Sequence, residues 1–134
     1  MPLSTQDALI HLMVVAATSD SRVSDRELEA IGSATSLPVF EGFDRQRLGA
    51  VAAEAIDLIK DSSSLDKVLD LILGAIPGRL HDTAYALAVE IAAVDLRLEQ
   101  EELRLLEMIR DKLDLDGLVA AAIEASARAR LRRA

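Results

Sequence analysis

The stretch DALIHLMVVAATSDSRVSDREL, Asp7 to Leu28, returns 75 residues later as DTAYALAVEIAAVDLRLEQEEL, Asp82 to Leu103. Eight of the 22 positions are identical: Asp7/Asp82, Leu12/Leu87, Val14/Val89, Ala17/Ala92, Asp20/Asp95, Arg22/Arg97, Glu27/Glu102 and Leu28/Leu103. Val23/Leu98 and Ile31/Leu106 add like-for-like apolar pairs. A repeat of this kind decides architecture, because each copy must be one supersecondary unit. Here each copy reads as an apolar helix, a short acidic turn and a second helix. In the first, Ser19-Asp20-Ser21 breaks the helix. Ser24-x-x-Glu27 then forms a capping box, with Val23 and Leu28 placed as a hydrophobic staple. Two such hairpins predict packing about an approximate two-fold axis that brings the acidic turns face to face.

Working outward, Ser4 and Asp7 have capping-box spacing before a helix over 8–19. Pro38 pushes Leu37 out of the helical region, so Leu37-Pro38-Val39-Phe40 reads as an extended linker. Asp44 caps a helix with Leu48, Val51, Ala52, Ala55 and Ile59 on one face and Glu54, Asp57 and Asp61 opposite. After Ser62-Ser63-Ser64 a short helix covers 65–76, ended by Pro77-Gly78. Helices over 80–95 and 99–113 form the second hairpin. Asp116 caps a last helix ending in Arg128, Arg130, Arg132 and Arg133. No stretch alternates at period two. The prediction is an all-α bundle of about seven helices, with duplicated, pseudo-two-fold hairpins in a single domain over 1–134.

Composition agrees. Only 2% of residues are aromatic while 51% are apolar, so the core must be Leu, Ile, Val, Ala and Met, which favours helices. The absence of cysteine excludes disulfides and thiolate metal sites. A net charge of −8 opposes binding to phosphate backbones, so nucleic acid is not an expected partner, whereas a cation or a basic partner is. The N-terminus has no basic n-region or signal-type cleavage site, and the longest apolar stretch, Ala8 to Ala17, is too short to span a bilayer. A cytoplasmic domain, not an integral membrane protein, is expected.

The repeated Asp-x6-Glu is the chemical feature: Asp20 with Glu27, Asp95 with Glu102. Asp20 follows Met13 and Ala16 in line with the apolar face, as Asp95 follows Leu87 and Ile91. A carboxylate at the core edge needs donors or a cation. Four carboxylates brought together would repel one another unless a hard divalent cation such as Ca²⁺, Mg²⁺ or Mn²⁺ joined them. A second account needs no metal. Glu27 is the partner of Ser24, Asp20 accepts backbone N–H groups in a tight turn, and Arg22 and Arg97 neutralise the aspartates. That account is weaker in the second copy, where Glu99, a poor cap, stands for Ser24. Neither turn is an EF-hand: counting from Asp20, Arg22 falls at position three and Ile31 at twelve, with no glycine at six. His11 and His81 lack partners at ligand spacing and read as packing or surface residues. There is no nucleophile elbow, P-loop or dinucleotide fingerprint, so a noncatalytic protein is expected.

The run Ala16-Ala17-Thr18-Ser19-Asp20-Ser21-Arg22-Val23-Ser24-Asp25-Arg26-Glu27 resembles the signature of the tellurite-resistance TerB-like family. There an Ala-rich helix enters Asp-Gly-x-hydrophobic-Ser-x-x-Glu. Ala92-Ala93-Val94-Asp95-Leu96-Arg97-Leu98-Glu99-Gln100-Glu101-Glu102 resembles the family's second copy. The sequence departs from the family where Ser21 and Leu96 stand in place of its common glycine, which makes a tight left-handed turn less easy. The resemblance implies an all-helical pseudo-symmetric bundle linked to stress-response operons and membrane-associated complexes. It further implies Asp20, Glu27, Asp95 and Glu102 as metal ligands. The competing expectation is a helical protein–protein interaction module whose acidic turns are structural and whose mark would be an exposed apolar groove.

Overall fold

The computed structural model describes residues 3–17, 23–62, 64–94, 100–132 and 134, with only the backbone for 100–102. Among them are seven α-helices and no strand. They are α1 (Thr5–Ala17), α2 (Asp25–Ala34), α3 (Leu48–Asp61), α4 (Leu65–Gly74), α5 (His81–Ala92), α6 (Gln100–Leu113) and α7 (Gly117–Leu131). No helix among them is long and apolar enough to cross a membrane.

The leading helix of each repeat forms the centre. Every residue of α1 from Ala8 to Ala17 is buried, and α5 buries Ala84, Tyr85, Leu87, Ala88, Val89, Ile91 and Ala92. A helix that is apolar on all sides can satisfy itself only by being surrounded. Accordingly α1 packs against α2, α3, α4, α5 and α6, and α5 against α1, α2, α6 and α7. The outer helices are amphipathic. In α4, Val68, Leu69, Ile72 and Leu73 are buried on one face while Asp66, Asp70 and Leu71 face outward.

The packing follows the repeat. Exchanging α1 with α5, α2 with α6 and α3 with α7 maps each contact onto another: α1–α2 onto α5–α6, α1–α3 onto α5–α7, and α1–α6 onto α2–α5. The α1–α5 contact maps onto itself. This is the duplicated arrangement the sequence predicts. The odd member is α4, which packs on α1, α3 and α6. Lys112 of α6 clamps it, with its Nζ 2.7 Å from both Asp66 Oδ1 and Asp70 Oδ1. These two carboxylates raise the Lys112 pKa above its ordinary value.

Local signals act largely as the sequence implies. Asp7 N donates to Ser4 Oγ at 3.1 Å, and Leu118 N donates to Asp116 Oδ1 at 2.8 Å. Asp44 accepts from Gln46 N at 3.0 Å, but the turn it caps is a 3-10 helix, Arg45–Arg47, that runs on into α3. Asp114, at φ 52°, ends α6 in the left-handed conformation that Asp tolerates better than most residues. One expectation fails. Leu37 is extended, yet Pro38–Phe40 is a 3-10 turn rather than a linker, with Phe40 buried. Proline disfavours helix before itself, whereas its own fixed φ suits the first helical position, and burial of Phe40 completes the turn.

Candidate functional site

The four acids of the repeat fall only partly among the described residues. Asp20 and Asp95 lie outside the described residues, as does the predicted approach of the two acidic turns, and nothing is described of the Glu102 side chain. Glu27 is the one whose surroundings are defined. Its Oε1 accepts the Ser24 backbone N–H at 3.0 Å, while its own N–H donates to Ser24 Oγ at 3.1 Å. Both halves of the capping box are therefore made, and Glu27 is buried because it turns back onto its own helix. Among the described residues, no three His, Asp or Glu side chains group closely enough to hold a metal ion. The structural account of Glu27 thus needs no metal.

His11 is buried, and neither ring nitrogen has a hydrogen-bond partner. The nearest acid is Glu54, 3.9 Å from Nε2. Burial lowers the pKa of His11, against the opposing pull of Glu54 and Asp7. Asp7 carries one unpartnered buried oxygen, Oδ1, while its Oδ2 holds Arg47 at 3.1 Å. His81 instead contacts the Ile76 carbonyl through Nε2 at 3.2 Å.

Two hollows related by the repeat flank the central helices. The N-terminal one, between α1, α2 and α3, measures about 380 Å³ and is lined by Val14, Val23, Leu28, Gly49, Ala52, Ala53 and Ile56. The C-terminal one, between α5, α6 and α7, measures about 150 Å³ and includes Val89, Leu103, Glu124, Ala127 and Arg128. These five stand 75 positions after Val14, Leu28, Gly49, Ala52 and Ala53. The repeat therefore extends into the third helix of each half, beyond what residue identity reveals. Among the described lining residues, charged and hydroxyl side chains enter only the C-terminal hollow. Tyr85, in the place of Ile10, donates its hydroxyl to Glu124 Oε2 at 2.6 Å, and Arg110 Nη1 lies 3.5 Å from the same oxygen. Burial and the adjacent Glu124 carboxylate raise the Tyr85 pKa well above its ordinary value. Tyr85 therefore stays protonated as a donor at ordinary pH.

A third depression opens between α2, α5 and α7, with a volume of about 410 Å³. Its walls are Ala30, Ser33, Ala34 and Leu37 on the α2 side, Leu87, Glu90 and Val94 on the α5 side, and Arg130 and Leu131 of α7. Leu37 is 46% exposed at its edge. Arg130 Nη1 pairs with Glu90 Oε2 at 2.7 Å in its lining. In the sequence, the features at this groove are Glu90, an acid within an apolar helix, and the arginines at the end of α7. Neither shows without the fold that they meet over an apolar floor. No family model, curated protein or solved structure matches the chain.

Proposed function

We propose that this protein is a noncatalytic helical interaction module that engages a protein partner through a groove walled by both halves of the chain. The observation that carries this reading is the groove between α2, α5 and α7. It is apolar on its floor, rimmed by charge and lies beside the half-exposed Leu37. Apolar hollows with a charged rim on a protein surface commonly mark interaction sites. The test is a photo-cross-linking residue placed at Leu37, with Leu71 on the outer face of α4 as control, in cells that make the protein naturally. A single partner captured from position 37 and not from 71 is expected. Equal capture from both positions, or none from either, removes the reading.

A second reading rests on the repeat. Because α1 and α5 are equivalent in the packing, the acids that follow them stand at equivalent points of the chain. That supports a TerB-like divalent-cation function through Asp20, Glu27, Asp95 and Glu102, linked to stress response of the tellurite-resistance kind and to a membrane-associated complex. In this reading Glu27 would serve while its Oε1 also holds the cap. Calorimetric titration with Ca²⁺, Mg²⁺, Mn²⁺ and Zn²⁺ tests it, with heat of binding lost in a Glu27→Gln, Glu102→Gln double variant as the expected result. No heat with any of the four ions in the wild type removes it.

A further inference from the structure

The C-terminal hollow has an internal control, because the first half builds the same arrangement from other residues. Its described lining includes the polar or charged side chains of Tyr85, Glu107, Arg110, Glu124 and Arg128. The residues 75 positions earlier are Ile10, Gly32, Thr35, Gly49 and Ala53, none of them charged. Helix α1 packs on α2 and α3 without those charges, so the arrangement itself does not require them around α5. Charges set beside buried apolar surface lose hydration and need a partner. Three of these side chains supply one another. The Tyr85 hydroxyl donates to Glu124 Oε2 at 2.6 Å, and Arg110 Nη1 lies 3.5 Å from the same oxygen. One charge of each sign is left over. Among the described residues, neither Glu107 nor Arg128 has an ion-pair partner. Both are exposed, whereas Tyr85, Leu106 and Ala127 are buried. The hollow is therefore apolar inside and carries a free acid and a free base at its mouth.

We infer that this hollow binds a free α-amino acid with an aliphatic side chain, held with the side chain inside, the ammonium group on Glu107 and the carboxylate on Arg128. The charges of the lining argue for this occupant. Glu107 and Glu124 balance Arg110 and Arg128, so the lining matches a ligand of zero net charge that carries both signs. A simple cation would leave Arg128 unanswered, and a simple anion would leave Glu107 so. A peptide terminus brings only one of the two charges. The Arg128 guanidinium suits a carboxylate, which it can meet with two parallel N–H bonds. Inside, Val89, Ala93, Leu106 and Ala127 offer only apolar contact. The hollow measures about 150 Å³. An apolar cavity of about that size accommodates a benzene ring, so the body of the ligand has roughly six heavy atoms. Leucine, isoleucine and methionine meet that limit, and an indole exceeds it. Tyr85 acts as a positioning residue, since its hydroxyl fixes the Glu124 carboxylate beside Arg110. The site shares no lining residue with the groove between α2, α5 and α7, so it stands apart from the interaction-module reading.

Calorimetric titration of the intact protein with leucine, isoleucine and methionine tests this. Two analogues run beside them: 4-methylpentanoate, which is leucine without its ammonium group, and 3-methylbutylamine, which is leucine without its carboxylate. At least one of the three amino acids should bind saturably, and about tenfold or more tightly than either analogue. Arg128→Ala, which copies Ala53 of the first half, should weaken that binding by about tenfold or more, and so should Glu107→Gln. Arg79→Ala, an exposed arginine outside the hollow, should leave it unchanged. All three positions are exposed, so the variants should fold, which circular dichroism melts check. Saturation by none of the amino acids overturns the inference. So does binding of either analogue as tight as that of the amino acids, which would make the hollow a site for one charge only. Indifference to either Arg128→Ala or Glu107→Gln in a folded variant equally overturns it. The photo-cross-linking result at Leu37 is independent of each of these outcomes, because Leu37 lines the groove and not the hollow.

Discussion

The two halves of this protein start from one plan and finish differently. In the N-terminal half, α1 is enclosed by α2, α3 and α4, and the hollow beside Val14 and Ala52 is lined by apolar side chains and a glycine. In the C-terminal half, α5 has α6 and α7 but no equivalent of α4 among the described residues, and its hollow holds the Tyr85–Glu124–Arg110 network. The N-terminal half is thus completed by its own chain. Among the described residues, the covering helix lies on the N-terminal half and the polar network lies in the C-terminal hollow.

The largest test of this contrast compares the covering helix with the uncovered groove. Leu69→Ala, fully buried in α4, should destabilise the protein by about 2–5 kcal/mol in urea melts. Leu37→Ala, at the rim of the open groove, should change stability by less than about 0.5 kcal/mol. Similar losses at both positions would mean that the groove is not open.

The polar network comes next. Tyr85→Phe removes a hydrogen bond to a charged acceptor, worth about 1.5–3 kcal/mol when well shielded. Glu124 is 30% exposed, so the loss should fall at the lower end of that range. The mirror change Ile10→Tyr should be destabilising, since Gly49 stands where Glu124 accepts the hydroxyl in the second half. A neutral Ile10→Tyr would show that the halves are more alike than their polar groups suggest.

Capping sharpens the comparison at the hairpin turns. Ser24→Ala breaks a complete capping box and should cost about 1 kcal/mol. Glu99→Ala, at the equivalent position of the second copy, should cost less because glutamate caps poorly. Equal losses in denaturant melts would erase the difference.

The smallest effect concerns His11, which stands where the second half has Ala86. Its folded pKa lies below the ordinary 6.5, because burial disfavours the imidazolium. Between those values the unfolded chain binds the extra proton, so stability falls as pH drops below 6.5 and levels off once the folded pKa is passed. His11→Ala, which copies the second half, should flatten this part of the stability–pH curve. A variant with the slope intact would place its origin elsewhere.

Much of this architecture can be read from the chain alone. The repeat, the two continuous apolar helices and the caps at Ser4, Ser24, Asp44 and Asp116 act over short separations, and their hydrogen bonds are made within a few residues. Periodicity identifies the apolar face of α3, because burial of an amphipathic helix requires only one apolar partner. The sequence could not show that α4 crosses onto α6 under the Lys112 clamp, or that a groove lies between the equivalent helices α2, α5 and α7. Nor could it show that Ile10, Gly49 and Ala53 have charged or hydroxylated counterparts in Tyr85, Glu124 and Arg128 that meet in one hollow. Those features join residues tens of positions apart, and only the packing of α5 between α2, α6 and α7 brings them together. The capping box illustrates the division: Ser24 and Glu27 are four residues of local chemistry, legible at once, whereas the groove beside Leu37 exists only because three distant helices leave a space that none of them fills.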